Sequence, residues 1–409
     1  MIKIAVLGGS GVATPELVAA LIEQQLQQPL ELALIGRTAD KLEKVASACR
    51  RLVDGHEIEV TASTDTERGL DGANFVINQV RVGGLKARAF DETFPHEFGF
   101  PGEETVGPGG FANATRTVPV VLGYARQVER LAPEAVFVNF TNPTSFIQYA
   151  ISRYTKVTAL GLCDSPVSLV NMIAAALDLP AEELSVDYVG MHHFGWVTAV
   201  YWKGHNLMTE VLARAARLSK LGVEPEAIQA LGAVPHPYYR YFVHGDAILE
   251  KQRGQPSRAL QLASLQDEML SAYESPDADV LAIAGKRGAV WYRAVVAPVL
   301  AALMESRSAY HIVNVVNGQT LPWLPSGAII ETPALLQQGR VRPLPPQDVP
   351  ANVRALVQHN CAFEMAAVEA IVERSYDKAL RALLLHPMRL TYQQAKGVLE
   401  RIWPDAMPV

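Results

Sequence analysis

Two short segments carry the side chains best suited to chemistry. Residues 157–166, VTALGLCDSP, set Cys163 just past an apolar run of strand character. Residues 186–196, VDYVGMHHFGW, set His192 and His193 at the end of a second such run, thirty positions further on. A thiolate and an imidazole at the ends of two strands have the donor softness to share one divalent ion. A lone cysteine reads first as a buried apolar thiol, and a lone histidine as a hydrogen-bonded core residue. The pairing of Cys163 with one of these two histidines is what points to a metal. Further along, VPHPYYRYF (234–242) brings Tyr238, Tyr239 and Tyr241 behind two prolines, and periodicity does not rank them.

Such a site needs elements to position it. IKIAVLG reads as a buried parallel strand that runs into Gly8, Gly9, Ser10 and Gly11, then into the helical pattern from Thr14. Glycines there allow a pyrophosphate to approach the backbone, and the helix N-terminus offers free N–H donors. The spacing departs from G-x-G-x-x-G, since Ala13 stands at the third glycine position. Further strands are expected at 31–37, 57–63, 72–80, 135–143 and 156–163, with helices between, including 116–132. This alternation predicts a doubly wound parallel sheet of Rossmann type over residues 1–165, followed by a mixed α+β domain over 166–409. At the end of the second strand the usual ribose-binding acid is missing and Arg37 follows Gly36, which leaves NADP open beside NAD. Residues 81–111, rich in Gly, Pro and charge, form a long functional loop bearing Arg81 and Arg88 as anion binders. Asn142 stands before Pro143 as a helix cap or a hydroxyl-binding group. Lys286 and Arg287 stand at the mouth of a long apolar helix, 205–222 reads as helical, 311–336 as strand, turn, strand, and the tail as helices.

Composition bounds the rest. With 409 residues, 49% hydrophobic and a net charge of −6, the chain has ample core and no basic block for a nucleic-acid backbone. No apolar run reaches the ~20 residues a bilayer span needs, and MIKIAVLGGSG reads as a strand, not a signal peptide. Cys49, Cys163 and Cys361 are odd in number and far apart, so a reduced cytoplasm is the expected setting.

Eight segments together resemble glycoside hydrolase family 4: IAVLGGSGVATPELV, RVGGLKARAFDE, GEETVGPGGF with RTVPVVL, NFTNP, GLCDSP, GMHHFGW, PHPYYRYF and KRGAVWY. Each is weak alone, but they follow one another in the family's order. The resemblance implies a fold related to lactate and malate dehydrogenases, NAD and a divalent metal, Mn2+ first, as cofactors, and a homodimer or homotetramer. It places the metal ligands at Cys163 and His193, leaves His192 as packing or support, and sets the catalytic base at Tyr238, with Tyr241 as the alternative. Asn142 falls on a substrate-hydroxyl asparagine, Arg88 on an arginine beside the sugar and Glu104 on an acid of the same loop. Arg81, Lys286 and Arg287 are the candidates for a 6-phosphate. Asp164, which should face the substrate, replaces the family's usual asparagine or histidine, so the sugar stays open. The implied reaction is cleavage of a 6-phospho-glycoside, 6-phospho-β-glucosides first, by oxidation at C3, elimination across C1–C2, addition of water and re-reduction. A dehydrogenase of a hydroxy acid or sugar with net cofactor turnover is the alternative that the fold permits.

Overall fold

The computed structural model describes residues 1–403. Its first half is built on β1 (Ile2–Leu7), β2 (Leu30–Ile35), β3 (Ile58–Ser63), β4 (Phe75–Asn78), β5 (Val136–Asn139) and β6 (Thr158–Gly161). All neighbours are parallel, in the order β3-β2-β1-β4-β5-β6, with helices on both faces. The strands are short and apolar because both faces are covered: Ile4, Val6, Leu32, Ile77 and Val138 are buried. Each such side chain contributes about 1.5–3 kcal/mol against an exposed reference. The strand order reverses between β1 and β4, and ligands of open parallel sheets bind outside the strand ends at that point.

The second half adds β7 (Leu184–Met191), β8 (Phe194–Trp202), two-residue β9 (His205–Asn206) and β10 (Val234–Pro235), β11 (Ala309–Val316), β12 (Ile329–Gln337) and β13 (Arg340–Pro343). They continue the same sheet: β11 pairs antiparallel with β6 through Asn314 and Gly161, and β12 meets β7 through Glu331 and Gly190. Late strands therefore lie between β6 and the β7–β8 hairpin. A buried polar network ties this junction, with the Tyr188 hydroxyl (2.7 Å) and the Asn314 amide (2.9 Å) both donating to the Glu331 carboxylate. The helix Ala351–Glu373 returns to pack its Phe363, Ala367 and Ile371 face on the first half. The parts before and after residue 165 thus share one sheet and one of its covering layers.

Several local expectations differ from the fold. The segment 81–111 holds the helix Gly84–Asp91, a 3-10 turn Phe94–Phe98 and the start of the helix Gly107–Leu131. Gly102, Gly109 and Gly110 serve close packing: a Cβ on Gly109 would lie 2.1 Å from the Glu103 carbonyl oxygen. The stretch 205–222 is broken into β9, the short helix Met208–Ala213 and a 3-10 segment, and the expected long helix after residue 280 is interrupted around Gly288. Among the described residues, no helix is long and apolar enough to cross a membrane.

Candidate active site

Cys163 lies two residues past β6, on the turn into the helix Ser165–Leu177. His192 and His193 form the two-residue tip of the β7–β8 hairpin, between the paired Met191 and Phe194. His193 has φ +63°, a left-handed conformation that costs a non-glycine residue about 1–2 kcal/mol and persists where the surroundings enforce it. The ligand atoms of Cys163, His192 and His193 all lie within 4.8 Å of one another, and all three residues are buried. Two donors at ~2.0–2.3 Å from one ion stand about 3–4.5 Å apart, so the cluster fits a single divalent cation with two imidazoles and a thiol. His192 is part of this cluster, a placement its reading as a packing residue did not foresee.

Hydrogen bonds settle which nitrogen of His193 is free. The Oε2 of buried Glu103 accepts the backbone N–H groups of Thr105 and Val106 and the Thr105 hydroxyl, the last at 2.5 Å. The two backbone N–H groups make this oxygen an acceptor, so the single Thr105 proton is committed to it. The Thr105 oxygen then accepts from Nδ1–H of His193 at 2.9 Å, leaving Nε2 with its lone pair. Burial holds His192 down at about 3 and His193 well below the usual histidine range, so both rings are neutral near pH 7. Burial, with smaller contributions from Glu331 and Asp164, pushes the Cys163 thiol well above its ordinary value. It becomes a ligand only when a cation displaces its proton.

The ring of Tyr238 stacks on His193, centroids 3.9 Å apart, and Tyr241 stacks behind it at 5.6 Å. Tyr238 lines the cavity with the Cys163–His192–His193 cluster, whereas Tyr241 opens towards a neighbouring surface cleft. His236 accepts the backbone N–H of Tyr238 at 3.1 Å and fixes the turn. Burial first, then Glu103, drives the Tyr238 phenol well above its ordinary range.

The same cavity, of 260 Å³, is walled by Arg81, Arg88, Glu104, Asn142, Asp164 and Arg287. Glu104 sits between Arg81 and Arg88, 2.9 Å from the latter, and Arg88 also pairs with Glu92 at 2.6 Å. Arg287 stacks over Trp291 at 5.1 Å, and burial followed by the charges of Arg88, Arg81 and Arg258 lowers its pKa. Three arginines stand against two carboxylates, Glu104 and Asp164, on this wall, and Arg287 is paired with neither, which leaves it free to receive an anion. Lys286 is not brought to it: its Nζ pairs with Glu268 at 2.6 Å on the surface, because consecutive residues leaving a helical turn project about 100° apart. The Asn142 side chain accepts the Thr144 hydroxyl at 3.3 Å, and Pro143, not Asn142, holds the cap position.

A second cavity follows the ends of β1 and β2, lined by Gly8, Ser10, Gly11, Arg37 and Lys41. Gly9 does not face it; a Cβ there would meet Leu34 at 2.8 Å, so this glycine serves strand packing. Gly11, Gln79, Arg81, Arg287 and Trp291 wall both cavities, which makes them one continuous cleft. Gln79 bridges the glycine turn to the second half, donating to Thr14 at 3.1 Å and accepting from Tyr292 at 2.7 Å. Glu103, Thr105, Gln79 and His236 were not singled out by sequence. GEETVGPGGF and PHPYYRYF contain three of them, but nothing in either segment says that they face His193 and Tyr238.

A crevice at the switch point of a Rossmann sheet, opening without a break onto a buried Cys/His cluster, defines an enzyme class that joins a dinucleotide to a metal centre. Models of the family 4 glycosyl hydrolases and of their C-terminal domain match residues 3–179 and 188–389, and the chain belongs to this family. It is 30% identical to the "Probable 6-phospho-beta-glucosidase" of Bacillus subtilis (strain 168), over 98% of this chain and 95% of that one. A Thermotoga maritima 6-phospho-beta glucosidase, solved with manganese, NAD+ and glucose-6-phosphate, is 29% identical and superposes with a TM-score of 0.91, covering 99% of this chain and 98% of the other. The lactate dehydrogenase of Eimeria maxima shares the fold at a TM-score of 0.56 and 15% identity, over 93% of this chain and 95% of that one.

Proposed function

We propose that this protein hydrolyses 6-phospho-β-glucosides with a nicotinamide dinucleotide and Mn2+, without net oxidation. The observation that carries this is the shared wall between the dinucleotide crevice and the Cys163–His192–His193 cluster. The β preference is supported by 27–30% identity to three 6-phospho-beta-glucosidases, against 22–25% to the α-acting relatives.

When bound, NAD+ supplies a transient hydride acceptor for C3 of the sugar and Mn2+ a Lewis acid for its C2 and C3 oxygens. Cys163 and Nε2 of His193 hold the ion, and His192 is the third protein donor. Tyr238, stacked on His193, takes the C2 proton while the C1–O bond to the aglycone breaks. Asn142 and Asp164 bond sugar hydroxyls, and Glu104 orients Arg88 beside them. Arg81 and Arg287 receive the 6-phosphate. Water then supplies its hydroxyl to C1 and its remaining proton to the departing aglycone oxygen, Tyr238 returns its proton to C2, and the hydride returns to C3. A cytoplasmic homodimer or homotetramer belongs to the same proposal; three buried free thiols support a reduced compartment.

The test is nitrophenol release from p-nitrophenyl 6-phospho-β-glucoside. Release is expected to require both NAD+ and Mn2+ and to leave no accumulated NADH. One NADH per product would instead establish a dehydrogenase.

Replacing Thr105 by valine strands Nδ1–H of His193 in a buried site. Mn2+ affinity, read by calorimetry or electron paramagnetic resonance, is expected to fall about 10–100-fold, the range for lost support of a ligating histidine. Thr105→Ser should restore it. Unchanged Mn2+ binding in the valine variant would remove this role from Thr105.

A further inference from the structure

The adenosine end of the crevice carries a charge pattern that a plain NAD site does not need. In Rossmann folds an acid after the second strand bonds the ribose 2′-hydroxyl, and an arginine there accommodates a 2′-phosphate. Here β2 ends at Ile35 and is followed by Gly36, Arg37 and Thr38 before the helix Ala39–Leu52. A Cβ on Gly36 would meet Ser10 at 3.0 Å, so this turn packs against the glycine loop and sets Arg37 at the crevice rim.

The described residues that line the 350 Å³ crevice include Arg37, Lys41, Arg81 and Arg287 and no aspartate or glutamate. Arg37 is exposed and has no hydrogen bond or ion pair among the described residues. The Thr38 hydroxyl makes no capping bond to that helix, although it stands at the cap position. Lys41, part-buried, donates to neutral Gln266 at 3.0 Å and has no carboxylate within ion-pair distance. The nearby acids are engaged elsewhere: Asp40 pairs with Lys44 at 3.1 Å, and Asp65 caps the helix Thr66–Leu70. An uncommitted guanidinium, a hydroxyl and an ammonium thus converge at the start of a fourteen-residue helix, a set matched to a dianionic phosphate.

We propose that Arg37, Thr38 and Lys41 form a 2′-phosphate site, so that this chain accepts NADP(H) as well as NAD(H) and holds NADP(H) more tightly. The inference rests on the reading of the crevice as a dinucleotide site. Both dinucleotides carry the same nicotinamide, so the hydride chemistry is unaffected.

Calorimetric titration of the full chain with NADP+, NAD+, 2′,5′-ADP and 5′-AMP tests it. NADP+ is expected to bind at least about tenfold more tightly than NAD+, and 2′,5′-ADP more tightly than 5′-AMP by a similar factor. Arg37→Ala should weaken NADP+ by about 10–100-fold, the range for a lost charge-assisted hydrogen bond, and leave NAD+ within about threefold. Lys41→Met should weaken NADP+ by about tenfold, and Arg37→Glu should reverse the preference. Tighter binding of NAD+ to the unaltered protein, or equal losses for both dinucleotides in Arg37→Ala, overturns the 2′-phosphate site and leaves the dinucleotide reading intact. If neither dinucleotide binds, the crevice reading falls and the 2′-phosphate site with it.

Discussion

Cys163→Ser is expected to abolish metal-dependent turnover while NAD+ binding and the fold persist. Serine fills nearly the same buried space but offers no thiolate, so the cluster keeps two neutral imidazoles and loses its only anionic protein donor. Loss of a direct ligand should exceed the ~10–100-fold cost of losing an outer partner, so Mn2+ affinity should drop by more than about 100-fold. The unaltered protein should also show a pH signature. The Cys163 thiol is held well above its ordinary value by burial, so throughout the neutral range it must release a proton to bind an ion. A proton competes with the cation below the thiol pKa, so Mn2+ affinity should rise about tenfold per pH unit and one proton should leave per ion bound. His192, neutral above about 3, adds no slope there. Calorimetry in buffers of different ionisation enthalpy counts the protons. A serine variant that keeps both the affinity and the slope would remove Cys163 from the metal site.

Tyr238→Phe is expected to lower kcat by about 10²–10⁴-fold, the usual contribution of a positioned general base, with Mn2+ and NAD+ binding within a few-fold of the unaltered protein. The stacked ring on His193 is retained and only the oxygen is lost. Burial, with Glu103 and then Tyr241 adding to it, makes this phenol a reluctant acid in the bare protein. On the proposed mechanism it would serve as a base only with a cation in the adjoining cluster. Removal of Mn2+ should therefore stop exchange of the substrate C2 proton with solvent deuterium even where sugar still binds. Tyr241→Phe should retain most activity, because its ring stands behind Tyr238. The opposite ranking of the two variants would move the base to Tyr241.

The parallel half of the fold was legible in the chain because its determinants are local. Six short apolar strands, helical spacing between them and a glycine turn after the first require no knowledge of distant contacts. The structure sets the strands within a few residues of their expected positions. Eight motifs in order likewise carried the family. The segment 81–111 misled because Gly and Pro signal turns by default. There they start a helix that needs backbone-to-backbone contact near Glu103.

What the chain alone determined was which chemical groups exist and which strand ends carry them. What only the tertiary structure decided was who faces whom. Cys163 and His193 meet because β11 and β12, more than a hundred residues later in sequence, fill the sheet between β6 and the β7–β8 hairpin. The same packing draws His192 into the cluster, turns Lys286 out to Glu268 and sets Thr105 against Nδ1 of His193. Sequence spacing reports a side chain's direction along its own helix or strand. Convergence of Cys163, the His192–His193 tip and Thr105 from three separate segments is fixed by non-local sheet pairing and burial, which no local pattern encodes.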